Sequence, residues 1–580
     1  MISRGLKDLD EENLSELKAL ADSIRAFLIE STATTGGHIG ANLGTVELTI
    51  ALHRCFTTPK DKLIFDTGHT GYTHKILTGR KKLFSTLNSL DGMSRFLSRT
   101  ESVHDFGDSS HAGNSISFAL GHSLSTRDSL DSPWTVAIIG DGALAEGLAL
   151  EALNHASVSG VERMMIIIND NGFAISPGFG AIHEALGDRE KSSRFFESLG
   201  YSYFGPIDGH NLESLIEAFE KAKKSKKQIP VVHVKTEKGR GFPPALKSPN
   251  RMHYSLPFDP RTGEPSANAN SGPGPLPVEV AANAVLSAME TNPRLLCMTP
   301  STRYATGLDS VFRRFPDRCF DPGMAEQHML SMAVGAAISG SPVVVFYQST
   351  FLQRAYDQLI HDLAFLQAPV LLVSVRHGFA GFDHSTHHGL FDIPVIRSVP
   401  NTKMLNPITN ADVVASIESW THAKSPGAEI ILLPYVNYDI SVGNALTTAN
   451  GFRTWKSGQS VLIVGTGVSV GECRKAADLL AQSNICQASV LAVSQINPLP
   501  ETLLSEIEGY SVIVTVEEGL LSGGFGESLK ALSNSTTTKV KFRCLGVPGE
   551  FAPPGDTSSL RQIYGLDAES IYKTVEQALN

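Results

Sequence analysis

Short apolar runs, each followed by an amphipathic stretch, dominate this 580-residue chain and leave few architectures open. The runs Thr135–Gly140, Met164–Asn169, Val231–Lys235, Val343–Tyr347, Val370–Val375 and Ile430–Pro434 are too short for buried helices and are rich in β-branched residues. Between them, Glu146–Ser159, Leu212–Lys224 and Ala325–Gly340 repeat apolar residues at helical spacing. Strands that are apolar on both faces and alternate with helices predict βαβ units in parallel sheets. Further runs at Ser460–Thr466 and Ser511–Glu517 extend the pattern. The expectation is an α/β protein of three α/β domains with mainly parallel sheets: residues 1–262, 278–445 and 452–580. A stretch dense in Pro, Gly, Ser and Asn, Ser255–Pro277, reads as the first connector, with 263–277 as its core, and a second composition break lies at Asn437–Ser457.

Composition narrows the function. A formal charge of -10 gives no electrostatic footprint for nucleic acid, and the basic run Lys221–Lys227 reads as a solvated helix end. Hydrophobic residues at 42% and charged residues at 19% are those of ordered globular domains. Cys55, Cys297, Cys319, Cys473, Cys486 and Cys544 show no CxxC spacing, which fits reduced thiols. Met1–Glu12 has no apolar signal core and no run is long enough to span a membrane, so a cytoplasmic protein is expected.

Chemistry concentrates at strand ends. Gly140-Asp141-Gly142 closes one run, and Asn171 lies thirty residues on, at the end of the next. The ends of neighbouring parallel strands would bring the Asp141 carboxylate and the Asn171 amide oxygen together, where open α/β sheets bind ligands. Both are hard oxygen donors. With a backbone carbonyl near Phe173 they suit Mg2+ carrying a diphosphate. The bland alternative is that Asp141 caps a helix and Asn171 makes a turn. Asp383, His384, His387 and His388 open another possibility, since a carboxylate and imidazoles at short spacing can bind zinc.

The blocks TGGHIGANLGTVELTIALH, DTGHTGYTHKILTGR, GDGALAEGLALEALNHA, IIINDNGFAIS, GPIDGH, VKTEKGRGF, MAEQHMLSMAVGAAISG, STFLQRAYDQLIHD and DHSTHHGLFD settle these choices together. They resemble, in the same order and nearly end to end, the 1-deoxy-D-xylulose-5-phosphate synthase family. The resemblance implies a transketolase-like fold, thiamine diphosphate and Mg2+ as cofactors, a homodimer, and a place in isoprenoid biosynthesis. It also implies a transferase that decarboxylates pyruvate and passes the two-carbon unit to an aldehyde. On the same basis Glu326 is the carboxylate facing the aminopyrimidine ring, and His38 and His69 line the reactive end. Ser110, His111, Ala112, Gly142, Ala143 and Asn171 belong to the diphosphate side, with Asp141, Asn171 and Phe173 holding the metal. Phe242 and Phe351 lie against the cofactor. His253, Gln348, Arg354, Arg376, Asp383, His387 and Tyr435 match the substrate cavity, with Asp383 and His387 orienting and protonating substrate rather than binding zinc. The third domain is expected mainly to support assembly.

Some positions depart from the family pattern. Gln348 stands where the family has tyrosine, and Tyr435 where it has an arginine that contacts the acceptor's phosphate. Losing one charge-assisted contact costs about 1.5–3 kcal/mol, roughly ten- to a hundredfold in binding. Ala112-Gly113-Asn114 replaces a hydroxyl-bearing block, and Pro177–Lys191 is much shorter than the family's covering segment, which predicts a more open acceptor site. Three enzymatic readings stand: the standard synthase, a paralogue with another acceptor, and ketol transfer of the transketolase kind. A catalytically silent scaffold is the non-enzymatic alternative, and it needs none of Asp141, Asn171, Glu326, His38, His69 and His387 together.

Overall fold

The computed structural model describes residues 9, 12–108, 110–128, 132–225, 228–266, 275–440, 451–533 and 540–580. It divides into two compact units, one of residues 1–270 with 322–325 and one of 271–321 with 326–580. Lys226 and Lys227, most of Met1–Glu12, and residues 267–274 and 441–450 of the two composition breaks lie outside the described residues.

The first unit carries a parallel sheet of β1 (Lys62–Phe65), β2 (Thr135–Gly140), β3 (Met164–Asp170), β4 (Ser202–Asp208) and β5 (Pro230–Lys235), in the order β1-β2-β3-β5-β4. Strand alternation sends successive side chains into opposite cores. Val136, Ile138, Met165 and Ile167 pack with the helices Leu14–Thr35, Val46–Cys55 and Leu212–Ala222. Ala137, Ile139, Ile166 and Ile168 pack with Ser115–Thr126 and Gly147–Ala156. Expected strands and helices match to within a few residues, whereas β4, half exposed and holding Gly205 and Pro206, gives too weak a pattern to read.

In the second unit, β6 (Leu296–Met298), β7 (Cys319–Phe320), β8 (Val343–Gln348), β9 (Val370–His377), β10 (Lys403–Leu405) and β11 (Glu429–Pro434) form one parallel sheet. A further sheet holds β12 (Phe452–Lys456), β13 (Val461–Gly465), β14 (Ser489–Val493), β16 (Val512–Leu520) and β17 (Lys541–Val547), with only β12 antiparallel. β15 (Gln495–Asn497) leaves this third sheet and pairs antiparallel with β10 at the edge of the second. One core also runs through both sheets: Val345, Leu372 and Leu432 cluster with Leu462, Leu491, Ile513 and Phe525.

The first connector begins later than composition suggests. Ser255 exchanges backbone hydrogen bonds with Gly37 at 2.8 and 2.9 Å, and Phe258 is buried in the first unit's core. A proline-rich segment that buries an aromatic ring is packed structure, whatever its composition.

Candidate active site

β2 and β3 end side by side, Gly140 paired with Asn169, and deliver Asp141 and Asn171 to the same edge. Asp141 opens a short helix, Asp141–Leu144, yet its side chain makes no cap bond. The carboxylate is buried; Oδ1 accepts from the Asn171 N–H at 3.4 Å, and Oδ2 has no hydrogen-bond partner. Burial pushes its pKa up, against the pull of His183, whose Nδ1 stands 3.8 Å away. Asn171 does make the turn anticipated as the bland alternative: its Oδ1 accepts from Phe173 N–H at 3.0 Å, which leaves a second lone pair on that oxygen. Gly142 is held close, since a Cβ there would stand 2.7 Å from that of Ala174.

His183 is a residue the sequence reading missed. It lies in Pro177–Lys191, which is folded as the helix Ala181–Leu186 and the Asp188-capped start of Arg189–Ser198. The shortened segment thus returns an imidazole toward Asp141.

Three histidines converge beside this edge. Ring centroids are 5.6 Å apart for His38–His69 and for His38–His253, and 5.3 Å for His69–His253. Phe96 and Tyr254 close over His38. The support comes from Asn42, one helical turn after His38 and fully buried. Its amide donates to the carbonyls of His38 and His69, both at 2.7 Å, and its Oδ1 accepts from Tyr72 N–H at 2.8 Å. Lys238, buried and likewise missed, donates to Ala174 O at 2.9 Å and lies 3.0 Å from His253 Nδ1. Burial drives the Lys238 ammonium down to about 7 and the His69 imidazole to about 3; it also drives His253 far down, with Lys238 adding to the effect. His69 and His253 therefore stand as neutral imidazoles.

The loop Ser110–Ser115 is shaped by Asp66, at the end of β1. Its buried carboxylate accepts from the N–H groups of Gly113 at 2.8 Å and Ser115 at 3.0 Å. Gly113 has φ +89°, and a Cβ there would stand 2.4 Å from Glu146 Oε2. Ser110 is buried, and His111 and Ala112 are partly exposed. Phe242 is buried in the first unit's core, its ring tilted against Phe258 with centroids 5.8 Å apart.

In the second unit, Glu326 begins the helix Glu326–Ile338. Its carboxyl is buried with Oε2 unpartnered, and burial raises its pKa against the nearby Arg354 charge. The Tyr347 hydroxyl donates to the Glu326 carbonyl at 2.7 Å. Gln348, at the end of β8, is buried, and Phe351 meets His387 edge-on at 5.8 Å. Arg376, with φ +65°, donates to Asp383 Oδ2 at 2.6 Å and lies over the Tyr435 ring at 5.2 Å. Behind them the fully buried Asp392 accepts from Ser349 at 2.9 Å and Ser374 at 3.0 Å, with His377 Nδ1 at 3.3 Å. Zinc does not fit the histidine run. His388 uses Nδ1 to accept from Ala380 N–H and Nε2 to donate to Pro553 O, both at 2.9 Å, and His384 Nδ1 faces Thr386. Among the described residues no group of three His, Cys, Asp or Glu side chains has the geometry to hold a metal ion.

Comparison with known proteins decides the family. The sequence model of 1-deoxy-D-xylulose-5-phosphate synthase matches residues 3–194 and 188–236, that of the transketolase pyrimidine-binding domain 278–439, and that of the transketolase C-terminal domain 452–571. The 1-deoxy-D-xylulose-5-phosphate synthase of Halothermothrix orenii is 36% identical over 99% of this chain and 96% of its own length. The chain belongs to the 1-deoxy-D-xylulose-5-phosphate synthase family. Another synthase of that name, from Thioalkalivibrio sulfidiphilus, is 38% identical over 99% of this chain and 94% of its own. Among solved structures, a transketolase from Leishmania mexicana aligns over 97% of both chains at 15% identity and a TM-score of 0.47. Members of the synthase family are transferases, and the three α/β sheets agree with its transketolase-like domains. Among the described residues no helix is long and apolar enough to cross a membrane.

Proposed function

We propose that the protein joins pyruvate to D-glyceraldehyde 3-phosphate, giving 1-deoxy-D-xylulose 5-phosphate and carbon dioxide. The observations that carry the reading lie in each unit separately: in the first, a buried Asp141 carboxylate with an unpartnered oxygen and His69 and His253 held neutral; in the second, a buried Glu326 carboxyl with an unpartnered oxygen. Unpaired buried carboxyl oxygens are costly and call for a ligand. Thiamine diphosphate, when bound, supplies the electron sink for decarboxylation.

Asp141, the Asn171 amide oxygen and the Phe173 carbonyl form a hard oxygen set that fits Mg2+, whose remaining positions a diphosphate and water fill. The Ser110–Ala112 loop, fixed by Asp66, and Gly142-Ala143 give a close backbone approach for the diphosphate. Glu326, whose pKa burial raises, offers a hydrogen bond to a ring nitrogen. His38, His69 and His253 move protons at the reacting carbonyl, and Lys238 supplies a cation whose pKa lies near working pH. Arg354, Arg376, Asp383 and His387 orient the donor and acceptor, with Phe351 and Gln348 in the same wall.

A dimer fits one exposed face. The helix Glu326–Ile338 has no charged residue after Glu326, and it exposes Ile338 beside a segment that exposes Ile360, Phe365 and Leu366. A second reading, a different aldehyde acceptor, is favoured by the place of Tyr435: it adds no charge, and Arg376 is drawn to it and to Asp383. Carbon dioxide release from pyruvate, with thiamine diphosphate and Mg2+, tests both. Strong stimulation by D-glyceraldehyde 3-phosphate with formation of the 1-deoxyketose supports the first reading. Pyruvate consumption that ignores this aldehyde and answers to another supports the second.

A further inference from the structure

The loop carrying Arg376, Asp383 and His387 is pinched shut at its base. Gly378 and Gly389 exchange backbone hydrogen bonds at 3.1 and 2.8 Å. Its forward side meets the second sheet, where Thr350 donates to Thr386 O at 2.8 Å and Phe351 meets His387. Its rear side is held by the third sheet and the segments around it. Glu518, on β16 and buried, accepts from Phe379 N–H at 3.3 Å. Arg561 fixes the same carboxylate from behind, Nε to Oε1 at 2.6 Å. The fit is close: Gly378 has φ +74°, and a Cβ there would stand 2.6 Å from Glu518 Oε2.

Three further contacts repeat the theme. His388 donates to Pro553 O at 2.9 Å, Gly555 N–H donates to Gly381 O at 3.2 Å, and Phe379 stacks on Tyr564 at 5.8 Å. Phe379 and Leu390 also lie in the core cluster of the third sheet, with Val461, Val490 and Val514. Four tethers thus fix this one short loop to the third sheet and its neighbouring segments.

We propose that Glu518 is a positioning residue for this loop, so that the third sheet takes part in substrate recognition instead of serving assembly alone. The inference rests on the functional reading above for the roles of Arg376, Asp383 and His387. A carboxylate shared between a backbone N–H and a partly buried guanidinium fixes the loop's entry, and through Gly378 and Phe379 the direction in which Arg376 leaves β9.

The test uses the full-length protein with thiamine diphosphate and Mg2+. Glu518→Ala is expected to raise KM for pyruvate and acceptor more than it lowers kcat, a loss of roughly ten- to a hundredfold in kcat/KM, with thiamine diphosphate affinity unchanged. Amide hydrogen exchange should rise in peptides covering 378–389 while β16 and β17 stay protected. Arg561→Lys, which keeps a donor for Glu518, should recover most of the kcat/KM lost in Arg561→Ala. Should Glu518→Ala not fold, the isosteric Glu518→Gln gives the same exchange readout. Kinetics and loop exchange like those of the wild type would overturn the proposal, as would an activity loss accompanied by exchange spread evenly over the third sheet. If the wild type leaves pyruvate untouched, the functional reading has failed, and exchange at 378–389 still decides the brace.

Discussion

The histidine pocket of the first unit is assembled from segments that follow two helices and one strand, the substrate loop of the second leaves the end of β9, and the two are held differently. His38 and His69 are fixed by Asn42, and the Ser110–Ser115 loop by Asp66, each a neighbour within the same unit's sheet and helices. Arg376, Asp383 and His387 depend on Asp392 close at hand and on Glu518, Pro553 and Arg561 far along the chain. Short-range support preorganises a cradle for something that stays bound. Long-range support leaves a loop whose position another domain can set.

Four substitutions sharpen that contrast, and the largest effect is expected where a group meets the chemistry itself. Glu326→Ala should lower kcat for carbon dioxide release by about 10²–10⁴-fold. A rate near that of the wild type would remove the carboxyl from the reaction. Next is Asp66→Ala, which strands the N–H groups of Gly113 and Ser115. It should weaken thiamine diphosphate binding by roughly tenfold or more, followed by fluorescence titration, with little change in far-UV circular dichroism. Unchanged affinity would mean that the cradle does not need its short-range support.

Asp392→Ala leaves Ser349, Ser374 and His377 without their shared acceptor, at a cost of about 1–3 kcal/mol in stability. It should lower the thermal midpoint as well as kcat/KM; a midpoint like that of the wild type would mean that the three groups find other acceptors. The last test concerns Glu517, beside Glu518. Burial raises its pKa to about 7, against hydrogen bonds from the N–H groups of Phe525 and Gly526. The folded state then keeps a proton that the unfolded state releases near pH 4.5. Stability should therefore fall as pH rises from about 4.5 to 7, by at most about 1.4 kcal/mol per pH unit. Glu517→Gln should flatten that slope in thermal melts across the same window.

Legibility from sequence followed the same division. Asp141 and Asn171 could be placed together because two apolar runs mark adjacent strands and the residues sit at their ends. Asn42, Asp66 and Lys238 were hidden, although the blocks containing them stood out, because a buried polar side chain announces itself only through its partners. Asn42 carries one local clue: it lies four residues after His38, on the same helical face. Nothing comparable marks Glu518, whose partner Phe379 is 139 positions away. The third region, expected to serve assembly, could not be tied to the substrate loop from composition, because four separate contacts make the connection.

The excursion of β15 has a consequence for biosynthesis. The edge of β10 is covered only when Gln495–Asn497, some ninety residues downstream, has left the ribosome and turned back. Until then the nascent second sheet carries an unpaired edge of the kind that invites pairing with other chains. The two C-terminal sheets are therefore expected to mature together, and a gene split between them to yield a fragment with an exposed margin on β10.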